Sequence, residues 1–118
     1  MRLLSGVTLA LAFGLAASLI AQQVYTPGDG VSLPTVVKQV RAGYTEKAMN
    51  ARVEGNVALD AVVLTDGKVG DVTVIESLDE GLDQQAIESL KQWEFKPGLK
   101  DGEPVAVRVR IIISFALK

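Results

Sequence analysis

Residues 54–76 read EGNVALDAVVLTDGKVGDVTVIE, and their period of two decides the fold. Val57, Leu59, Ala61 and Val63 point one way; Ala58, Asp60, Val62 and Leu64 point the other. Thr65-Asp66-Gly67-Lys68 reads as a hairpin turn, because Gly67 reaches a positive φ at no steric cost. Val69 to Glu76 is then the return strand, with Val72 and Val74 on one face and Gly70 as a candidate bulge.

Beyond the hairpin the period changes. SLDEGLDQQAIESLKQW, residues 77–93, places Leu82, Ala86, Leu90 and Trp93 at steps of four, four and three, with Ile87 widening the stripe. This spacing predicts an amphipathic helix. Asp79, Glu80 and Asp83 fall at its positive end and Lys91 near its negative end, which accounts for the three acids without catalysis. Trp93-Glu94-Phe95-Lys96-Pro97 ends the helix, and Trp93 and Phe95 read as core. Lys100-Asp101-Gly102-Glu103 is a turn. The last segment, Val105 to Leu117, alternates again: Val105, Val107, Val109, Ile111, Ile113, Phe115 and Leu117 share a face, opposite Arg108 and Arg110. Upstream, Val36, Val40, Tyr44 and Ala48 recur at steps of four. They suggest a short irregular or helical piece, then a helix from about Thr45 to Arg52 with Thr45 as N-cap.

The order is helix, strand, strand, helix, strand. A right-handed crossover through the second helix lets the long third strand pair antiparallel with the first. The expected fold is α+β: a three-stranded antiparallel sheet in the order 2-1-3, with both helices on one face. The second and third strands are its edges.

The remaining sequence sets the context. Residues 1–21, MRLLSGVTLALAFGLAASLIA, put Arg2 ahead of an uncharged apolar run, which reads as a signal peptide or a membrane anchor. Either places the rest of the chain outside the cytoplasm. Residues 22–35 hold two prolines and two glycines and read as a linker, leaving 36–118 as the domain. Gly28-Asp29-Gly30 lacks the third glycine and the preceding strand of a dinucleotide fingerprint.

Composition narrows the chemistry. The chain of 118 residues has no histidine and no cysteine, and its net charge is −2. That removes the commonest general base, the commonest metal ligands and the thiol nucleophile. Serines have no histidine partner, and a basic stripe for nucleic acid is not expected. No cofactor and no enzymatic activity are anticipated.

Several stretches occur in one order: Tyr44-Thr45-Glu46-Lys47-Ala48, Gly55-Asn56-Val57, Asp66-Gly67-Lys68-Val69, Gly81-Leu82-Asp83, Trp93-Glu94-Phe95-Lys96-Pro97, Asp101-Gly102-Glu103-Pro104-Val105 and Ser114-Phe115-Ala116-Leu117. Together they resemble the C-terminal domain of TonB-type energy transducers over about Val36 to Lys118. The resemblance implies a periplasmic module that docks outer-membrane transporters in support of energy-dependent transport. A short transporter segment, the Ton box, would lie along the last strand. The contact residues on this reading are Val105, Val107, Arg108, Val109, Arg110, Ile111 and Ile113, with Tyr44 beside them. Family anchors carry a histidine that couples to inner-membrane motor proteins, and family chains have a long proline-rich spacer. This chain has no histidine, and residues 22–43 span at most about 75 Å. Thr45 stands where the family often has proline. The alternative is a self-associating structural module, a homodimer whose last strand is occupied by a second copy.

Overall fold

The computed structural model describes residues 23–28 and 30–118. Residues 1–21, expected to be a signal or anchor, lie outside them. The alternating stretches become two long strands, β3 (Gly55–Val63) and β4 (Val69–Glu76), and a third, β7 (Glu103–Phe115). The helical stretches become α1 (Glu46–Asn50) and α2 (Glu80–Leu90). Four short strands complete the set: β1 (Val24–Tyr25), β2 (Thr35–Lys38), β5 (Glu94–Lys96) and β6 (Gly98–Lys100).

β3 and β7 pair antiparallel through nine consecutive residues, from Gly55 opposite Phe115 to Val63 opposite Val107. β4 pairs with the other side of β3. Val62 there faces both Gly70 and Asp71, since Ala61 pairs with Val72 and Val63 with Val69. The main sheet runs β1-β7-β3-β4, with β6 also on β7, and β2 and β5 form a separate pair. The sheets therefore hold more than the three strands expected. The reason is tertiary: segments too short or too irregular to show a period find partners on strands already in place.

Paired residues share a face, so the odd-numbered side chains of β3 and β7 make one continuous apolar surface. Val57, Leu59, Ala61, Val63, Ile113 and Phe115 lie in one buried cluster with Ala48 of α1 and Leu82, Ala86 and Leu90 of α2. Both helices thus bury their apolar stripes in that cluster. Thr45 caps α1, its Oγ1 accepting from the Ala48 amide at 3.1 Å. The helix is shorter than expected because Arg52 turns left-handed, at φ 54°. Residues 35–38 are a strand and not a helical piece, because consecutive Val36 and Val37 are stiff at χ1 and Phe95 supplies a partner.

At the start of α2, Asp79 caps the Leu82 amide at 3.0 Å. The buried Asp83 accepts from the Ser77 hydroxyl and from the Leu78 and Asp79 amides. Burial pushes its carboxyl up, but the hydrogen bonds from Ser77, Leu78 and Asp79 together outweigh it and hold the group below its ordinary value. A depressed carboxylate pKa stabilises the fold above the unfolded value, and the benefit disappears as pH falls through the folded value. Asp83→Asn is expected to cost about 1–2 kcal/mol near neutrality. In urea melts the deficit should close as pH is lowered below about 4.

The hairpin tip explains a glycine. Gly67 has φ 85°, its carbonyl accepts from the Phe95 amide at 2.9 Å, and a Cβ there would stand 1.9 Å from the Phe95 carbonyl oxygen. Gly102 has a similar φ of 81° but open space around it. Gly67→Ala should therefore destabilise by about 2 kcal/mol or more, and Gly102→Ala by only about 1 kcal/mol, in parallel denaturant titrations.

Candidate functional site

The ladder with β3 uses one edge of β7. On the opposite edge β1 runs parallel, with Val24 beside Ala106 and Tyr25 beside Val107. Val107 consequently has strand neighbours on both sides, Val63 and Tyr25. β6 pairs with Glu103 to Val105. Among the described residues no strand pairs with the edge opposite β3 from Arg108 to Phe115. An open edge of this kind presents unpaired N–H and C=O groups from alternate residues.

Beside the last part of this edge lies a groove of about 400 Å³. One wall is Ile112 to Ala116 of β7, the other is Gln39 to Ala42, and Tyr44, Ser89 and Trp93 complete the lining. The second wall has no regular structure, and its position depends on one carbonyl. Val40 O accepts from Trp93 Nε1 at 2.9 Å and from Ser89 Oγ at 2.5 Å. Both donors sit at the end of α2 or just past it, so the helix that packs the core also holds the wall. Trp93 Nε1 also lies 3.3 Å from Ser89 Oγ, joining the three groups into one network. Trp93 and Phe95 are both buried, with ring centroids 6.1 Å apart.

The candidate residues divide by face. Val105, Val109 and Ile111 are half-buried and Val107 and Ile113 are buried, so these five can offer a partner little more than backbone. Val105 and Val107 also fall outside the open edge, being paired with Gly98 and Tyr25. The linker residues expected to be free of the fold thus cover part of the strand expected to be bare. Arg108 and Arg110 project from the face away from α1 and α2; Arg110 lies 4.0 Å from Asp60, a solvated contact of little energetic weight. Ile112, on that same face, is 59% exposed at the centre of the open edge. Tyr44 is turned inward: its hydroxyl donates to Val53 O at 2.7 Å, and its ring meets Phe115 edge-on at 5.5 Å. Burial, then the charge of Glu54, raises its phenol pKa.

Sequence reasoning missed Gln39, Val40, Arg41, Ala42 and Ser89. Val40 and Ser89 act through a carbonyl and a hydroxyl, which carry no periodic signal. Among the described residues no group of three or more acids could hold a metal ion. Also among them, no helix is long and apolar enough to cross a membrane.

The fold and site define a small α+β module with one long, partly uncovered edge strand beside a groove. A family model described as the C-terminal of the Gram-negative bacterial TonB protein matches residues 40–117, and the chain belongs to that family. Protein TonB of Vibrio cholerae is 37% identical over 90 residues, spanning 75% of this chain and 37% of that protein. Protein TonB of Xanthomonas campestris pv. campestris is 35% identical over 75 residues, spanning 63% and 34%. The chain thus spans little more than a third of the length of these relatives. The solution structure of the Pseudomonas aeruginosa TonB CTD shares the fold, with a TM-score of 0.61 at 19% identity over 83% of this chain and 96% of that one. The Helicobacter pylori TonB-CTD gives a TM-score of 0.50 at 26% identity, over 65% and 70%.

Trp93→Phe removes the indole donor while keeping most of the ring volume. It should cost about 1 kcal/mol in denaturant melts. Amide exchange should accelerate at 39–42 more than in the β3–β7 ladder, because the wall loses one of its two anchors.

Proposed function

We propose that this domain is a periplasmic, non-enzymatic TonB-type module that docks outer-membrane transporters. A Ton-box-like segment is received as an added strand on the open edge of β7, in support of energy-dependent transport. Residues 1–21 deliver the chain across the inner membrane or hold it there, and any coupling to inner-membrane motor proteins runs through that end. The observation that carries the reading is the uncovered edge from Arg108 to Phe115 beside the groove walled by residues 39–42. Family membership supports this class of partner.

The energetics suit a reversible contact. About half of the eight edge residues turn their N–H and C=O outward. Main-chain hydrogen bonds contribute about 0.5–1.5 kcal/mol each, so several of them, less the cost of association, give a Kd of roughly micromolar to millimolar. Side-chain selection is left to the groove: inward residues of the visitor meet its other wall at Gln39 to Ala42, and outward ones meet Arg108 and Ile112.

Titrating the full chain, held in mild detergent, with a Ton-box peptide and following amide shifts by NMR tests this. Shifts are expected at 108–115 and 39–42, saturating by millimolar peptide. Their absence there overturns the proposal. Sedimentation at several concentrations addresses the competing occupant: a concentration-dependent dimer blocked by Arg108→Pro would assign the edge to a second copy of the chain.

A further inference from the structure

We infer that residues 24–28 and 30–32 form a strap that fixes where the docking edge begins, and that its first two residues can be displaced while the rest stays seated. The inference rests on the docking reading and adds a regulatory element to it. Several observations meet here. β1 lies on the same edge as the open stretch and ends at Val107, immediately before the first unpaired residue, Arg108. It cannot run further along β7, because Pro27 follows within two residues and has no amide to donate. An incoming strand is therefore limited to eight residues unless it takes the place of Val24 and Tyr25.

The two ends of the strap are held unequally. The far end is well fixed. Val31 is buried and bridges to Lys100. The Ser32 amide donates to Leu99 O, and the Leu99 amide to Ser32 Oγ, both at 2.9 Å. Gly98 lets the strap approach, since a Cβ there would stand 2.5 Å from Ser32 O. The near end has a two-residue parallel pairing, a half-exposed Val24, and the Lys100 ammonium 5.0 Å from the Tyr25 ring. Between the ends, Gly28 and Gly30 have φ of 106° and 83°, and Gly28 and Val31 exchange amide–carbonyl bonds of 3.2 and 3.0 Å. The strap is thus a fixed foot, a glycine-rich turn and a short removable tip. A visitor reaching past Arg108 meets the tip as a competitor for the same edge groups of Ala106 and Val107. Tension on the chain at Gln23 pulls on the tip before it reaches the foot.

The chain has no cysteine, so a locking pair can be introduced cleanly. Three forms of the full chain in mild detergent are compared: native, Tyr25→Pro to release the tip, and Val24→Cys with Ala106→Cys to lock it. Each is titrated with a Ton-box peptide and with the same peptide lengthened by two residues at one end or the other. The original peptide should bind all three forms alike. One lengthened peptide should bind the released form about fivefold or more tighter than the original does, gain less on the native chain, and gain nothing on the locked form until it is reduced. Amide exchange of the unbound released form should rise at 106–108 while Ser32 and Leu99 stay protected. Equal binding of original and lengthened peptides by the released form overturns the strap and leaves docking standing. Exchange that rises at Ser32 and Leu99 as well also overturns it, because the tip is then part of one unit with the foot. No binding of either peptide by any form overturns docking itself, and the strap's role with it.

Discussion

The unbroken antiparallel ladder between β3 and β7 is the constraint on which the rest of the domain depends. Nine consecutive pairs fix which side chains of both strands share a face. A slip of one residue would move one strand's set, either Val57, Leu59 and Val63 of β3 or Ile113 and Phe115 of β7, from the helix-covered side to the other face. The ladder also consumes one edge of β7 through to Phe115, which leaves the opposite edge as the place where main-chain groups can be shared with something else. Core and candidate site are two consequences of one register.

A second constraint joins helix to groove. α2 is positioned by Leu82, Ala86 and Leu90 in the core, and its last turn and the residues just after it carry Ser89 and Trp93 to the Val40 carbonyl. An otherwise irregular stretch is thereby held as a wall facing the end of β7. The chain then leaves Trp93 into β5, whose Phe95 amide binds the Gly67 carbonyl at the hairpin tip. Helix end, hairpin tip and groove wall are coupled within a few residues. Trp93 stands at the junction of all three, with Ser89 as the second donor to the Val40 carbonyl.

Tyr44, Arg108 and Arg110 show how the same strand and its neighbours divide labour. Tyr44 has the ring a peptide groove could use, yet its hydroxyl is engaged by Val53 and its ring by Phe115, so it supports the floor beneath the groove. The arginines stand on the sheet face away from α1 and α2, where charge next to Ile111-Ile112-Ile113 discourages uncontrolled strand pairing. An edge that receives a partner needs this protection, because the groups that would bind a visitor would also bind a misfolded neighbour.

The alternation of residues 54–76 and 105–117, the turn at Asp66-Gly67 and the four-residue steps of 82–93 are local signals, strong enough to specify three long strands and a helix without further help. Thr45 as a cap and Asp79, Glu80 and Asp83 as a helix start were legible for the same reason: capping is a matter of a few neighbouring residues. The short strands were not. Val24–Tyr25, Thr35–Lys38 and Gly98–Lys100 are two to four residues long, below the length at which a period can be read, and they exist because β7 and Phe95 offer partners distant in sequence. The groove was hidden for a related reason, since Val40 contributes a carbonyl that every residue has. The sequence by itself determined the long elements, the buried face and the long terminal strand. Only the tertiary structure decided how much of that strand stays uncovered, because edge occupancy depends on which remote backbone groups come within hydrogen-bonding distance.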